Sequence, residues 1–393
     1  MRSINNINFK GKKALIRVDF NVPLTGDFEI ADDSRMMAAL PTIDKILNDG
    51  GSVILMSHLG RPKGVESQFS LSHIQEHLSA LLGKDVLFSE DCISDEAISV
   101  SNSLDNGSVH LLENLRFYSE EKAGNNEFAR KLAKHADVYV NDAFGTAHRA
   151  HASTSVIAQL FNEKCFGLLM EKEVKNASML MQQPERPFTA IVGGAKVSDK
   201  ILIIENLLKV ANNIIVGGGM AYTFKKAQGG EIGNSLFEEE RVETCKEILQ
   251  KATENGVNIF LPEDSVIADK FSNEANIDTT ESSNIKSGWM GLDIGPKATE
   301  EFRQVLLDSK TILWNGPMGV FEMSNFENGT KQVAQAVADA TTAGAFSLIG
   351  GGDSSAAVKK FGFTENVSYV STGGGALLEY FEGKELPGIA AIS

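Results

Sequence analysis

The sequence has little of several features that would each point to a particular class of protein. Its 393 residues include only three cysteines, Cys92, Cys165 and Cys245, which form no CxxC or Cys/His cluster and so support neither a disulfide framework nor a zinc site. No apolar run approaches the roughly 20 residues needed to cross a bilayer. The first residues lack the apolar core of a signal peptide. We therefore expect a protein of a reducing, cytoplasmic compartment.

Two common nucleotide-binding motifs and an excess of basic charge are also missing. The chain contains neither the P-loop pattern GxxxxGK[ST] nor the dinucleotide pattern GxGxxG, and the absence of the latter disfavours an NAD-dependent oxidoreductase. Lys and Arg number 37 against 52 Asp and Glu, which gives a net charge of -15. Nucleic-acid-binding proteins usually present a basic face, so this balance disfavours that class as well.

Short continuous apolar runs alternate with amphipathic helical patterns from one end of the chain to the other. Such runs are typical of parallel strands buried on both faces, and the alternation predicts an α/β fold. A length of 393 residues favours two domains. The predicted strands are Ala14–Phe20, Ser52–Ser57, Val86–Phe88, Val109–Glu113, Val138–Asn141, Phe166–Leu169, Thr189–Val192, Asn213–Val216, Asn258–Leu261, Thr311–Trp314, Phe346–Ile349 and Ser368–Ser371.

Proline, glycine and serine mark the ends of some predicted helices. Pro41 indicates either a kink or a helix that begins at this residue. Gly83 is expected to end the following helix, and Ser198 to cap one in the second half. The domain boundary is predicted where a helical pattern over Met170–Met181 is broken by Gln182–Pro187. This helix is either a hinge that joins the domains or an ordinary surface helix followed by a loop.

Arginine and histidine side chains follow the predicted strands of the first half, which has no glycine triplet. Ligands of parallel sheets bind outside the carboxyl ends of the strands, so we expect these side chains to lie at one rim. A single arginine is usually a solvated surface residue, but several together favour a carboxylate or phosphate site. The converging residues are Arg35, His58, Arg61, Arg116 and Arg149.

Two further histidines of the first half, His148 and His151, are three residues apart and invite a metal reading. No Cys, Asp or Glu accompanies them at ligand spacing, so zinc is disfavoured.

Glycine triplets follow three predicted strands of the second half, at Gly217–Gly219, Gly350–Gly352 and Gly373–Gly375. A strand that ends in glycine and continues as a helix leaves backbone N–H groups that admit a phosphate closely. Lys196 and Lys200 are four residues apart and can face one ligand. Together these features favour a nucleotide site. Asp353 there is either a helix N-cap or a ligand of Mg²⁺, which takes few protein carboxylates.

The order and spacing of motifs along essentially the whole chain resemble those of the phosphoglycerate kinase family. The motifs are RVDFNVP at 17–23, SHLGRP at 57–62, LENLRF at 112–117, NDAFGTAHRAH at 141–151, GGAKVSDK at 193–200, GGGMA at 217–221, GWMGLDIGP at 288–296, WNGP at 314–317, GGGD at 350–353 and GKELPG at 383–388.

This resemblance implies two doubly wound, Rossmann-like parallel-sheet domains joined by a hinge helix, with the C-terminal tail returning to the first domain. Residues 1–170 with the tail 380–393 would bind 3-phosphoglycerate, residues 186–379 the nucleotide, and residues 171–185 would connect them. The implied reaction is the reversible transfer of a phosphoryl group between 1,3-bisphosphoglycerate and MgADP, giving 3-phosphoglycerate and MgATP. A hinge-bending, cytoplasmic monomer with Mg²⁺ as cofactor is implied as well.

The resemblance also assigns roles to individual residues. The implied substrate-binding residues are Asp19, Phe20, Asn21, Arg35, His58, Leu59, Gly60, Arg61, Arg116 and Arg149. The implied nucleotide-binding residues are Lys200, Gly217, Gly218, Gly219, Gly291, Asn315, Glu322, Gly350, Gly351, Gly352, Asp353 and Ser354, and Asp353 would meet Mg²⁺. The implied catalytic residues are Arg35, Lys196, Lys200, Gly373 and Gly374.

The nucleophile of the implied reaction would be the carboxylate of 3-phosphoglycerate, which is ionised at neutral pH and needs no general base. Catalysis would then consist of alignment and compensation of charge. The main alternative is a nucleotide-binding module that transfers no phosphoryl group.

Overall fold

The computed structural model describes residues 2–393 and divides into two compact units. The first consists of the residues up to Lys175 together with Glu385–Ser393, and the second of Asn176–Lys384. The division falls inside the helix Leu168–Gln182, so the sequence segment 171–185 contributes residues to both units.

The first unit is built on a parallel sheet of six strands in the order β3-β4-β2-β1-β5-β6. Because every strand runs the same way, all six carboxyl ends lie along one edge of the sheet. The strands are β1 (Lys13–Arg17), β2 (Ser52–Met56), β3 (Val86–Ser89), β4 (Val109–Leu112), β5 (Val138–Asn141) and β6 (Glu163–Phe166). The helices are α1 (Ser34–Asn48), α2 (Ser72–Leu82), α3 (Asp95–Asn102), α4 (Ser119–Lys122), α5 (Asn126–Ala133) and the first part of α6 (Leu168–Gln182), which continues into the second unit.

The second unit holds another parallel sheet of six strands, in the order β10-β8-β7-β15-β16-β17, with two small sheets β12-β11-β14 and β13-β9. Its strands are β7 (Phe188–Val192), β8 (Asn213–Val216), β9 (Glu231–Ile232), β10 (Asn258–Phe260), β11 (Asp264–Ala268), β12 (Ile277–Glu281), β13 (Asn284–Ile285), β14 (Met290–Ile294), β15 (Thr311–Asn315), β16 (Phe346–Ile349) and β17 (Tyr369–Val370). Its helices are α7 (Ile201–Leu207), α8 (Met220–Ala227), α9 (Val242–Asn255), α10 (Pro296–Leu307), α11 (Asn328–Thr342), α12 (Gly352–Lys360) and α13 (Gly374–Phe381), while α14 (Pro387–Ala390) belongs to the first unit.

The prediction of two parallel-sheet α/β units is confirmed, and three predicted strands (Val138–Asn141, Asn213–Val216 and Phe346–Ile349) have the predicted bounds. The prediction of a strand over Phe166–Leu169 is wrong except at Phe166, because β6 covers Glu163–Phe166 and α6 begins at Leu168. Among the named strands β6 has one neighbour, β5, and it begins with an exposed glutamate, so it lacks the continuous apolar character of a central strand.

Of the predictions made for helix ends, one is confirmed and one is wrong. Gly83 ends α2 in the left-handed conformation with φ 62°, as predicted. Helix α1 starts at Ser34 and runs through Pro41, which excludes a start at the proline. The prediction that Ser198 caps α7 is wrong, because the helix begins three residues later and the Ser198 hydroxyl donates to Glu238 at 2.6 Å.

The C-terminal tail returns to the end of β5. The Gly388 N–H donates to the carbonyl of Ala147 at 2.8 Å, and its own carbonyl accepts from Asn141 Nδ2 at 3.3 Å. Among residues 2–393, no helix combines the length and the apolar character that a bilayer crossing requires.

Candidate active site

The loops that follow β1 and β2 meet at the carboxyl edge of the first sheet. Arg35, at the start of α1, donates from Nη1 to Asp19 Oδ2 at 3.2 Å and to the carbonyl of Asn21 at 3.2 Å. The Asn21 side chain accepts from the Gly60 N–H at 2.7 Å. These bonds bring four of the sequence-predicted substrate residues into one network.

Arg116, which follows β4, extends this network. Its Nη1 donates to the carbonyl of Gly60 at 2.8 Å, whereas its Nε is buried without a hydrogen-bond partner. Burial lowers the pKa of this guanidinium, and the neighbouring charges of Arg17 and Arg61 lower it further. An unsatisfied buried N–H next to other cations is costly, so an anion bound here would relieve both penalties.

The remaining predicted substrate residues divide into exposed arginines and buried apolar side chains. Arg61 and Arg149 are exposed, and Arg149 is close enough to lower the pKa of His151. Phe20 and Leu59 have buried side chains. Only the backbone of these two residues can therefore serve a ligand, and both N–H groups already bond to side chains of Ser57 and Asn114 respectively.

His58 is neutral and its proton position is defined. Burial is the main cause that lowers its pKa well below the usual value, and the charges of Arg17, Arg116 and Arg35 add to it. Arg17 Nη2 lies 3.1 Å from His58 Nδ1. A guanidinium can only donate, so Nδ1 accepts this bond and the proton of the ring is on Nε2.

In the second unit, Lys200 and Asn315 meet at the carboxyl edge of the sheet. Lys200 Nζ donates to Asn315 Oδ1 at 2.5 Å, and Asn315 Nδ2 donates to the carbonyl of Gly350 at 2.7 Å. Burial lowers the pKa of Lys200, while the carboxylates of Asp199, Asp353 and Glu382 act against this. Lys196 is exposed, and its charge lowers the pKa of Glu238.

The glycines that follow β7, β8 and β15 pack directly on one another. A Cβ on Gly193 would lie 2.1 Å from the carbonyl oxygen of Pro317, and one on Gly218 would lie 2.5 Å from that of Gly194. The N–H groups of Gly217 and Gly218 donate to Val192 and Met318 at 3.0 Å. The expectation that this triplet offers bare N–H groups is therefore wrong for these two residues, and glycine is needed there for close backbone packing.

The triplet after β16 is different, because it opens into the N-terminus of α12. Gly351 has φ 93°, and a Cβ on Gly352 would meet no atom within 4 Å. The first N–H groups of a helix have no acceptor within it, so those of Gly352 and Asp353 face outwards. Ser354 is buried and accepts from the Gly316 N–H at 2.6 Å, which ties this helix to the loop after β15.

The last triplet follows β17 and leads into α13. The Gly373 N–H donates to Ser371 Oγ at 3.0 Å, and Gly374 begins the helix with φ 39°. Both glycines lie at the same carboxyl edge as Gly350, because β17 pairs in parallel with β16.

Comparison with known proteins identifies the family to which this chain is related. The family model described as phosphoglycerate kinase matches residues 4–384. The chain belongs to the phosphoglycerate kinase family. The phosphoglycerate kinase of Porphyromonas gingivalis is 55% identical, over 99% of this chain and 99% of the relative, and that of Chloroherpeton thalassium is 52% identical, over 100% and 99%. A solved phosphoglycerate kinase structure from Coxiella burnetii covers 99% of this chain and 98% of its own, with a TM-score of 0.90 at 40% identity.

Membership of the phosphoglycerate kinase family confirms the predicted enzyme class, a phosphotransferase with a carboxyl group as acceptor. Membership of this family also disfavours the alternative of a nucleotide-binding module that transfers no phosphoryl group.

Sequence reasoning assigned no substrate-binding or catalytic role to two residues close to His58. Arg17, at the end of β1, is fully buried and donates to His58. His151 lies 3.8 Å from Glu121, and burial together with Arg17 and Arg116 lowers its pKa to about 4. Both residues belong to motifs of the family that follow strands. Their positions in these motifs were the feature of the sequence from which a role at the site could have been predicted.

Three further side chains or glycines surround the edge of the second sheet. A Cβ on Gly291 would lie 1.8 Å from Tyr222 Oη, so this position requires glycine. Glu322 is exposed. Leu236 is 50% exposed and would lie 3.0 Å from a Cβ on Gly219. Leu236 was not predicted as a site residue from the sequence, because it belongs to none of the motifs.

Proposed function

We propose that this enzyme binds 3-phosphoglycerate or 1,3-bisphosphoglycerate at the carboxyl edge of the first sheet and MgADP or MgATP at that of the second. The phosphoryl group is then transferred reversibly between the carboxylate of the one and the terminal phosphate of the other. The observation that carries this proposal is the convergence of Arg35, His58 and Arg116 around Asp19. Arg35 bonds to the Asp19 carboxylate at 3.2 Å, His58 Nδ1 lies 4.0 Å from it, and the charge of Asp19 acts on Arg116.

The first unit supplies charge of the right sign for a phosphorylated acid. Arg35 and Arg116 both keep guanidinium N–H groups beyond those already bonded within the protein. Arg61 and Arg149 are exposed at the same edge and add cationic charge. Paired N–H groups of arginine suit carboxylate and phosphate oxygens, so we assign this edge to the acid.

The second unit supplies a surface suited to a nucleotide. The N-terminus of α12 places N–H groups of Gly352 and Asp353 and the helix dipole toward a phosphate. The exposed Leu236 beside Gly219 offers an apolar surface that a flat base can cover. Glu322 is an exposed acceptor suited to ribose hydroxyls.

The donor set fits magnesium. Asp353 is an exposed carboxylate at the start of α12 and is close enough to Lys200 to influence its pKa. Mg²⁺ is usually held by one or two carboxylates together with substrate phosphates, so Asp353 would hold it. When bound, the ion would neutralise phosphate charge and orient the nucleotide.

The residues of the chain then have simple chemical tasks. The acceptor carboxylate is already ionised at neutral pH, and a neutral His58 with its proton on Nε2 donates a hydrogen bond instead of removing a proton. Arg35, Lys196 and Lys200 compensate the charge on the transferred group. The N–H group of Gly374 adds a donor, whereas that of Gly373 is already bonded to Ser371 Oγ and fixes the turn that carries Gly374.

The decisive experiment is a coupled assay of ATP-dependent acyl-phosphate formation from 3-phosphoglycerate, with and without Mg²⁺. We expect turnover only when Mg²⁺ is present. ATP binding without turnover would instead support the non-catalytic module.

A cytoplasmic monomer is part of the proposal. The cysteines Cys92, Cys165 and Cys245 are all free and buried, which suits a reducing compartment. Light scattering at several concentrations would test the oligomeric state, and a constant dimer mass would contradict it.

A further inference from the structure

A hydrogen-bonded chain of four buried groups connects Glu121 to His58. Ser153 donates from Oγ to Glu121 Oε1 at 2.6 Å and from its N–H to Oε2 at 3.0 Å. The same Oγ accepts from Arg17 Nε at 2.9 Å, and Arg17 Nη2 lies 3.1 Å from His58 Nδ1. Glu121, Ser153 and Arg17 have no exposed surface, so they do not contact a ligand directly, and the hydrogen bonds of the chain lead from them to His58.

The chemistry of these groups fixes the direction of every bond in the chain. A guanidinium only donates, so Ser153 Oγ accepts from Arg17 and gives its own proton to Glu121. For the same reason His58 Nδ1 accepts, and the proton of the neutral ring is on Nε2. Burial raises the pKa of Glu121, while Arg17 and the two bonds from Ser153 act against this rise.

The local backbone of Ser153 is unusual. It lies in a π-helical turn over Ala152–Val156. Such turns are rare in proteins, and those that occur are often found at functional sites. The turn brings the N–H and the hydroxyl of one residue to a single carboxylate. The Ser153 carbonyl also accepts from Tyr139 Oη at 2.8 Å, so the serine is held from both sides.

Arg17 is held equally firmly. Besides the bonds from Nε and Nη2, its Nη1 donates to the carbonyl of Val18. Three anchors fix the plane of the guanidinium, and this plane determines where the His58 ring finds its donor. A buried cation also needs a nearby carboxylate, and Glu121, reached through Ser153, supplies that charge.

We propose that Glu121 and Ser153 are positioning residues, which act through Arg17 to fix the ring orientation and the Nε2–H tautomer of His58. The consequence for catalysis rests on the proposed function, in which His58 offers this proton to the anionic substrate. The tautomer itself can be measured without substrate.

The test uses the whole enzyme with ¹⁵N-labelled histidine, and the His58 signals are identified by their absence from a His58→Gln variant. The wild type is expected to show an unprotonated Nδ1 and a protonated Nε2. Ser153→Ala removes the acceptor of Arg17 Nε and keeps both charges, whereas Glu121→Gln keeps the shape and removes one charge. In both variants we expect a mixture of tautomers and a KM for 3-phosphoglycerate raised about tenfold, with the KM for ATP unchanged.

Two control variants separate positioning from general stability. Ser153→Thr keeps the hydroxyl and is expected to retain the wild-type tautomer. Ser101→Ala removes an equally buried serine, which bridges His110 and His135 at 2.9 and 2.6 Å, and should destabilise the protein without changing the His58 signals.

A protonated Nδ1 in the wild type overturns the inference, as does an unchanged tautomer in folded Ser153→Ala. If Glu121→Gln does not fold, Ser153→Ala and the wild-type spectrum decide. A changed tautomer with an unchanged KM for 3-phosphoglycerate supports the inference and instead contradicts the proposed role of His58.

Discussion

The ammonium of Lys200 is held by Asn315, at 2.5 Å from its Oδ1, and the other side of this amide is bonded to the carbonyl of Gly350 at 2.7 Å. An asparagine that donates on one side and accepts on the other has a fixed orientation. The position of the lysine charge is therefore set relative to the turn that leads into α12.

Lys200→Ala is expected to impair both turnover and nucleotide binding. In the proposed function Lys200 stabilises the negative charge of the terminal phosphate, which is present in bound ATP and grows during phosphoryl transfer. We expect kcat to fall on the order of 10²-fold, with weaker ATP binding. Steady-state kinetics and calorimetry measure the two effects, with the exposed Lys246→Ala as control. Wild-type turnover or wild-type ATP affinity in the Lys200 variant would show that this residue is misassigned.

Arg35→Ala should affect turnover far more than nucleotide affinity, because Arg35 lies in the first unit with Asp19 and Asn21. A fall in kcat on the order of 10²-fold is expected, with an unchanged Kd for ADP. Arg130→Ala is a matched control, since this arginine is exposed and forms an ion pair with Glu127 at 3.4 Å. Unchanged turnover with weakened ADP binding would refute the assignment of Arg35.

The regular part of the fold could be predicted from the sequence, because buried parallel strands are continuous apolar runs. Val138–Asn141 shows this well. The small antiparallel sheet could not be found in this way, since β12 is almost entirely exposed and has no apolar run. Ser198 failed as a helix cap because a distant partner, Glu238, occupies its side chain. Local sequence contains no information about such a partner.

The same limit applies to the candidate site. Strand-end motifs placed Arg35, His58 and Arg116 correctly at one edge, because parallel topology alone brings strand ends together. The proton on His58 depends on Arg17, and whether a strand-terminal arginine points inwards is decided only by tertiary packing. Nor could the sequence show that Gly217 and Gly218 use their N–H groups within the protein.

Lys360→Met should weaken nucleotide binding selectively. Lys360 ends α12 and donates to the carbonyl of Phe321 at 2.7 Å and to Glu327 at 2.6 Å, so it ties the segment that carries Glu322 to this helix. We expect the KM for ATP to rise about fivefold with an unchanged KM for 3-phosphoglycerate, as for the loss of one charged hydrogen bond.

Lys360→Arg should restore most of this affinity, because it keeps the charge and the donors. The exposed Lys246→Met serves as the matched control. Equal changes in both KM values would point to a general loss of stability and contradict the positioning of Glu322 by Lys360.

Acid should destabilise the first unit through two buried histidines. Ser101 bridges the rings of His110 and His135, and burial lowers the pKa of each from 6.5 to about 4. Because the folded state resists protonation, each ring contributes stability above pH 6.5 that is lost as the pH falls toward 4. The loss is about 3 kcal/mol per ring at pH 4.

The comparison must be made between variants, because Asp142 and Asp293 act in the opposite direction. Burial raises the pKa of these carboxyl groups to about 6 and about 7, so their contribution increases as the pH falls. His110→Asn keeps a donor for Ser101 and should be less stable than the wild type in urea near neutral pH, with a difference that shrinks toward pH 4. A difference for His110→Asn that stays constant with pH would contradict the prediction.

Gly352→Ala separates a glycine needed for the ligand from one needed for the fold. An added Cβ meets nothing within 4 Å, and alanine favours a helix, so the variant should be at least as stable as the wild type. If phosphates lie on the N-terminus of α12, the methyl group takes up their space and ATP binds more weakly.

Gly26→Ala, which has equally open surroundings in the first unit, should leave ATP binding unchanged. Gly316→Ala should instead lower the Tm strongly, because its Cβ would lie 2.1 Å from the Gly193 carbonyl oxygen and its φ is 102°. Wild-type ATP affinity in a stable Gly352→Ala variant would show that the phosphates bind elsewhere.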